Sequence, residues 1–202
     1  KQWYQRRVHG GPRMEGGREK EGGGSLSSGS FSRGCFLLRL VAVAATVAAT
    51  VVMGVANETE IIPVKLFPNQ PPLEVPAPAK WQYMSALRYF VVANAVGCSY
   101  AALSLVVPFV GRGSAWGALA PMLILPLDIL MVGLLASSCG TAGAVGVIGY
   151  QGNSHVRWEK VCDVFTKFCR HVAASVVLSL IGAAAFLLLA LLAVLRPRAP
   201  PQ

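Results

Sequence analysis

Four stretches of the chain, residues 36–56, 87–109, 119–150 and 172–195, each run for more than twenty residues with at most one charged side chain. A helix needs about 20 consecutive apolar residues to cross the hydrocarbon of a bilayer. Burying four such helices in a soluble core would demand a far larger protein. Composition agrees, since 54% of the residues are apolar and 13% charged. The pattern predicts an all-α membrane protein, an antiparallel bundle of four transmembrane helices. A cleaved signal peptide is a poor reading of the first stretch, because its apolar run exceeds the ordinary signal length and follows a long polar tail.

The remaining segments divide the chain. Residues 1–34 are rich in glycine, serine and charge and are expected to be a disordered tail. Residues 35–196 form the membrane domain, and 197–202 a short second tail. Met14 reads as a natural start, which would remove Lys1, Arg6, Arg7 and Arg13 from the formal charge of +9. The basic residues are scattered without stacking aromatics, so no nucleic-acid partner is expected. Between the first two spans, "NETEIIPVKLFPNQPPLEVPAPAK" (Asn57–Lys80) holds six prolines, which exclude a long helix and leave room for a loose hairpin. Trp81 and Tyr83 then stand where aromatic belts sit. Asn57-Glu58-Thr59 fits a glycosylation sequon, weakened by its closeness to the membrane.

After the third span, Trp158, Val161, Cys162, Phe165, Phe168, Cys169 and Val172 recur at helical spacing. They predict an amphipathic helix over about 154–171, which would carry the fourth helix beyond the bilayer. A helix would hold the Cα atoms of Cys162 and Cys169 about 10 Å apart, beyond the roughly 4.4–6.8 Å of a disulfide. An internal bridge therefore requires a broken helix. The other readings are two small core residues, or bonds to a second chain.

Two charges lie inside spans. Arg39 sits early in the first, and Asp128 sits in the third, two residues after Pro126. An ionisable residue within a membrane marks a functional or structural site and calls for a partner. Counted along parallel helices, Arg39 lies about 5 Å deep and Asp128 about 10–15 Å. The aspartate leans back toward its helix N-terminus, so the two are expected to pair. Pro126 frees the carbonyl of Met122 and kinks the helix nearby. The alternatives are that Arg39 snorkels to the head groups, and that Asp128 is protonated or bonded to Asn94 in the second span. Small residues mark helix contacts in lipid: Ala42, Thr46, Thr50 and Gly54 in the first span, Ser175, Ser179 and Ala183 in the fourth, and Gly140, Gly143, Gly146 and Gly149 thinning the third.

These features, with "KWQYMSALRYFVVANAV", "GVIGYQGNSHVRWEKVC" and "FTKFCRHVAASVVLSLIG", resemble the Casparian strip membrane domain protein family of plants, in its first subfamily of Casparian-strip-like proteins. The resemblance covers residues 33–195. It implies a plasma-membrane protein with cytoplasmic termini, forming homodimers and heterodimers with related members, and puts the family's intramembrane pair on Arg39 and Asp128. Charge counting gives ten Lys and Arg on the terminal side against seven on the other, and six against seven from Met14, so topology rests on the resemblance. Better-known members assemble immobile scaffolds that organise local cell-wall modification. Their distinctive first-loop stretch is not matched by Asn57–Lys80, which leaves a general membrane-scaffold role. The alternative is a small transporter or channel using Arg39, Asp128 and Asn94. His9, His155 and His171 are isolated and no nucleophile–base or metal spacing occurs, so neither catalysis nor a cofactor is expected. A claudin or tetraspanin reading fails for want of a first-loop cysteine and of Cys-Cys-Gly.

Overall fold

The computed structural model describes residues 24–64, 73–110, 116–152, 155 and 160–195. Four helices carry the fold: α1 (Gly24–Gly54), α2 (Ser85–Val110), α3 (Trp116–Gln151) and α4 (Thr166–Leu195). Each is long and apolar enough to cross a membrane, and together they form the expected four-helix bundle. Most of the tail expected to be disordered, residues 1–23, lies outside the described residues. Residues 24–34, placed in that tail by composition, are helical. Once the apolar span has nucleated the helix, extending it costs little even through serine and glycine.

The helices form a ring. α1 packs against α2 and α4, and α3 packs against the same two. α1 and α3 therefore face each other across a diagonal. Inside the ring every helix buries a line of residues whose spacing alternates between three and four. In α2 the line is Leu87, Phe90, Asn94, Gly97, Ala101 and Ser104. In α3 it is Asp128, Met131, Leu135, Ser138 and Ala142, and in α4 Phe168, Val172, Ser175, Ser179, Gly182, Phe186 and Leu189. This is the heptad rhythm that keeps one seam facing its neighbours along a gently coiled bundle.

The seam corrects the strict four-residue stripe expected in α1. At 100° per residue, a step of four drifts around the helix. Ala42 and Thr46 are buried as expected, but Thr50 and Gly54 are half-buried, and Ala49, Met53 and Ala56 take the inner line. Ser175 and Ser179 in α4 are fully buried. A close approach between these helices is marked by a glycine. A Cβ added at Gly182 would stand 3.0 Å from Cγ2 of Thr46 and 3.9 Å from the carbonyl of Ala42.

On one side of the bundle, β1 (Asn57–Val64) and β2 (Leu73–Lys80) form an antiparallel hairpin, registered from Asn57 opposite Lys80 to Val64 opposite Leu73. Pro63, Pro76 and Pro78 all fall in alternate pairs of this register, with Glu74, Ile61 and Thr59. Such pairs need no backbone donor across the ladder, so a proline-rich loop can still pair. Ile62, Ala77 and Ala79 turn toward the bundle and pack on its core. Trp81 is not only an interfacial aromatic: its indole nitrogen donates to the carbonyl of Gly54 at 3.0 Å, which satisfies a backbone acceptor at the end of α1.

The amphipathic helix expected over 154–171 is not continuous: residues 154 and 156–159 lie outside the described residues, and the described part breaks ahead of Thr166. Val161–Asp163 is a single 3₁₀ turn, and α4 starts only at Thr166. The break goes with a disulfide between Cys162 and Cys169, whose Cα atoms lie 5.7 Å apart, too close for two helical turns. α4 nonetheless begins six residues ahead of its apolar span, as the expected extension requires. Breaking the disulfide by reduction, or by Cys162→Ser with Cys169→Ser, is expected to cost about 2–3 kcal/mol on the loop-closure estimate for so short a ring. The check is the melting temperature of the purified protein with and without reductant.

Candidate functional site

Among the described residues, the charge buried inside the bundle gathers at one level. Arg39 continues the α1 seam one step back from Ala42, so its side chain points into the ring and not to the head groups. Nη2 of Arg39 lies 3.1 Å from Oδ2 of Asp128, with side-chain exposures of 11% and 1%. The pair crosses the diagonal from α1 to α3. No helix lies between them, and α2 closes the side: Nη1 of Arg39 donates to the hydroxyl of Ser104. Ser104 donates in turn to the carbonyl of Ala101 at 2.8 Å. The hydroxyl of Tyr100 donates to Oδ1 of Asp128 at 2.7 Å and lies 3.1 Å from the carbonyl oxygen of Ile124. The Tyr100 ring is held against Phe186 of α4, with centroids 5.9 Å apart.

The carboxylate thus accepts one hydrogen bond from the guanidinium and one from the phenol. The guanidinium splits its donors between the carboxylate and a serine. A buried pair repays its desolvation only when the remaining lone pairs and protons are met in this way. One residue from α1, two from α2 and one from α3 contribute polar atoms, and α4 contributes the ring that backs Tyr100. Chemically the arrangement neutralises itself.

Tyr100 and Ser104 were not among the residues expected here. Asn94 was the named neighbour for Asp128, and its place is different. Its amide nitrogen donates to the carbonyl of Phe90 at 2.9 Å within α2, and its Oδ1 has no hydrogen-bond partner among the described residues. Six to ten residues separate it from Tyr100 and Ser104, about 9–15 Å along the helix. α3 remains helical through Pro126, and a backbone acceptor used beside Asp128 is the carbonyl of Ile124, which accepts from Tyr100. A usable signal did exist: Tyr100 and Ser104 are four apart on one face of α2, at the depth reached by counting back from the opposite side.

The geometry therefore consists of four spans, an Arg–Asp bolt across the diagonal and a disulfide-closed turn ahead of the fourth helix. The Casparian strip membrane protein domain matches residues 28–185, which contain the Arg–Asp pair, the disulfide turn, the second and third spans and most of the first and fourth. The chain belongs to this family. It is similar to CASP-like protein 1E1 of Ricinus communis, 51% identical over 176 residues, which cover 87% of this chain and 89% of the relative. It is also similar to CASP-like protein 1E2 of Glycine max, 52% identical over 156 residues (77% and 82%). CASP-like protein 1E1 of Arabidopsis thaliana is 43% identical over 173 residues (86% and 90%). No solved structure matches the chain.

A second polar contact in this Casparian strip family chain joins its two outer segments. Glu58 of β1 accepts a hydrogen bond from the backbone nitrogen of Phe168 at 2.8 Å. A carboxylate there meets both an orphan N–H and the positive end of the α4 dipole. Asn57, beside it, is exposed at the base of the hairpin. Glu58→Ala is expected to cost about 1–2 kcal/mol, as loss of a helix-capping group does, and Glu58→Gln less. The check is hydrogen exchange, which should rise in the first turns of α4 and in the hairpin but not around Asp128.

Proposed function

We propose that the chain is a non-enzymatic scaffold of the plant plasma membrane. On this reading both termini are cytoplasmic, the hairpin and the disulfide turn are extracellular, and the protein associates with itself and with related family members. Such assemblies organise a membrane subdomain and the wall modification beside it. The observation that supports this best is the closed state of the intramembrane charges. Arg39 and Asp128 hold each other and are completed by Ser104 and Tyr100. Polar groups consumed in bracing a bundle suit a rigid building block. Other large apolar side chains lie outside, among them Val51, Leu103, Val177 and Leu188, where lipid and neighbouring copies meet them.

The test is the lateral mobility of the tagged full chain in its native membrane. Fluorescence recovery after photobleaching is expected to be slow within patches, compared with a freely diffusing four-span control. Fast, uniform recovery over the whole surface sinks the scaffold reading. Co-purification of two differently tagged copies tests self-association.

A further inference from the structure

The ring is not filled evenly. A cavity of about 770 Å³ opens between α2, α3 and α4 on the hairpin side. Its walls are apolar: Leu87 from the start of α2, Phe168, Val172 and Val176 from the start of α4, and the stretch of α3 carrying Gly143 and Gly146. The two glycines make the space. A Cβ at either would meet nothing within 4 Å. The Cys162–Cys169 turn borders the top, and Tyr83, Tyr150 and Gln151 gather at that end. Tyr83 and Tyr150 are 68% and 70% exposed.

The level of the cavity follows from the charged pair. Gly143 lies fifteen residues beyond Asp128, and Gly54, the end of α1, lies fifteen beyond Arg39, both about 22 Å along their helices. The cavity therefore straddles the plane where α1 leaves the apolar layer. Its lower part is at membrane depth, and its tyrosine-bearing end is where amphipathic aromatics meet head groups. An apolar space of this kind stays dry, and the surrounding medium is hydrocarbon. The volume falls in the range of small-molecule sites, about 300–1,000 Å³. A protein partner would instead use a flat patch of roughly 800 Å².

We propose that this cavity binds one hydrocarbon chain of a lipid from the leaflet on the hairpin side, with the head group at Tyr83 and Tyr150. The chain fills the room left by Gly143 and Gly146 and ties the projecting ends of α3 and α4 to the leaflet.

The full chain in phosphatidylcholine vesicles carrying a trace of phosphatidylcholine with a diazirine on its acyl chain provides the test. After irradiation and digestion, adducts on residues 143–151 and 161–177 are expected to exceed those on the lipid-facing Leu103 and Val106 by about tenfold per residue, the ratio that 1.4 kcal/mol of preference produces. Gly143→Leu with Gly146→Leu should abolish that excess while the melting temperature holds or rises. Equal labelling on all lipid-facing surfaces would mean ordinary surrounding lipid and would overturn the proposal. So would an excess that survives the filled cavity.

Discussion

Asp128→Leu is expected to destabilise the protein by about 3–5 kcal/mol, because it strands the Arg39 guanidinium among apolar neighbours. The measurement is melting of the purified protein in detergent, together with the fraction delivered to the cell surface. Arg39→Leu should have a comparable effect, leaving the Asp128 carboxylate with only the Tyr100 hydroxyl. The double substitution, Arg39→Leu with Asp128→Leu, should be far milder than the sum of the singles, since no buried charge remains. Exchanging the charges, Arg39→Asp with Asp128→Arg, should recover part of the loss. The longer side chain then starts from α3, Ser104 can turn its hydroxyl to donate, and Tyr100 can accept. Additive singles would show that the two groups do not act together. Tyr100→Phe separates bracing from simple neutralisation. It keeps the ring against Phe186 and removes one donor to the carboxylate, for an expected cost of about 1.5–3 kcal/mol.

Gly182→Leu is the second large effect. The position has no room for a side chain, because Thr46 already stands at the limit of contact and the backbone of Ala42 lies behind it. A leucine there must push α1 from α4 along the seam that joins them, at about 3 kcal/mol or more, the upper end of overpacking costs. Gly182→Ala should cost less, since the Thr46 methyl can yield a few tenths of an ångström. Gly140→Ala is the control: its Cβ meets open space, and replacing a helical glycine should be neutral or slightly favourable. Comparing melting temperatures of the three variants separates the geometry of the seam from helix propensity. If Gly182→Leu melts like the control, the close approach of α1 and α4 is not what holds the bundle.

The parts of this structure that could be read in advance are those set by one dimension of the chain. Apolar run length alone gives the four spans, since a bilayer measures length. Depth along a helix brings Arg39 and Asp128 within reach. What could not be read depends on rotation or on distant contacts. The α1 seam runs through Ala49 and Met53, and only the alternation of three and four residues distinguishes it from the stripe through Thr50 and Gly54. Tyr100 and Ser104 resemble any hydroxyl residues on a helix until the rotation of α2 is known. The segment ahead of α4 misled for a specific reason. Cysteines seven apart lie on one helical face, so the periodicity that suggested a continuous helix also marks a pair able to close once that helix breaks. The contact of Glu58 with Phe168 spans 110 residues and leaves no local trace.

The bolt across the bundle also has a history within each molecule's making. Its two halves are separated by 89 residues, so Arg39 leaves the ribosome well before its counter-ion exists. At about 5–20 residues per second, the first helix waits roughly 5–20 seconds with an unmatched cation near the start of its apolar span. An early position along the span lets the long side chain reach the polar boundary during that interval. Closure of the ring must follow synthesis of the third helix. A chain that ends before Asp128 keeps this cation without the carboxylate that pairs with it in the finished bundle.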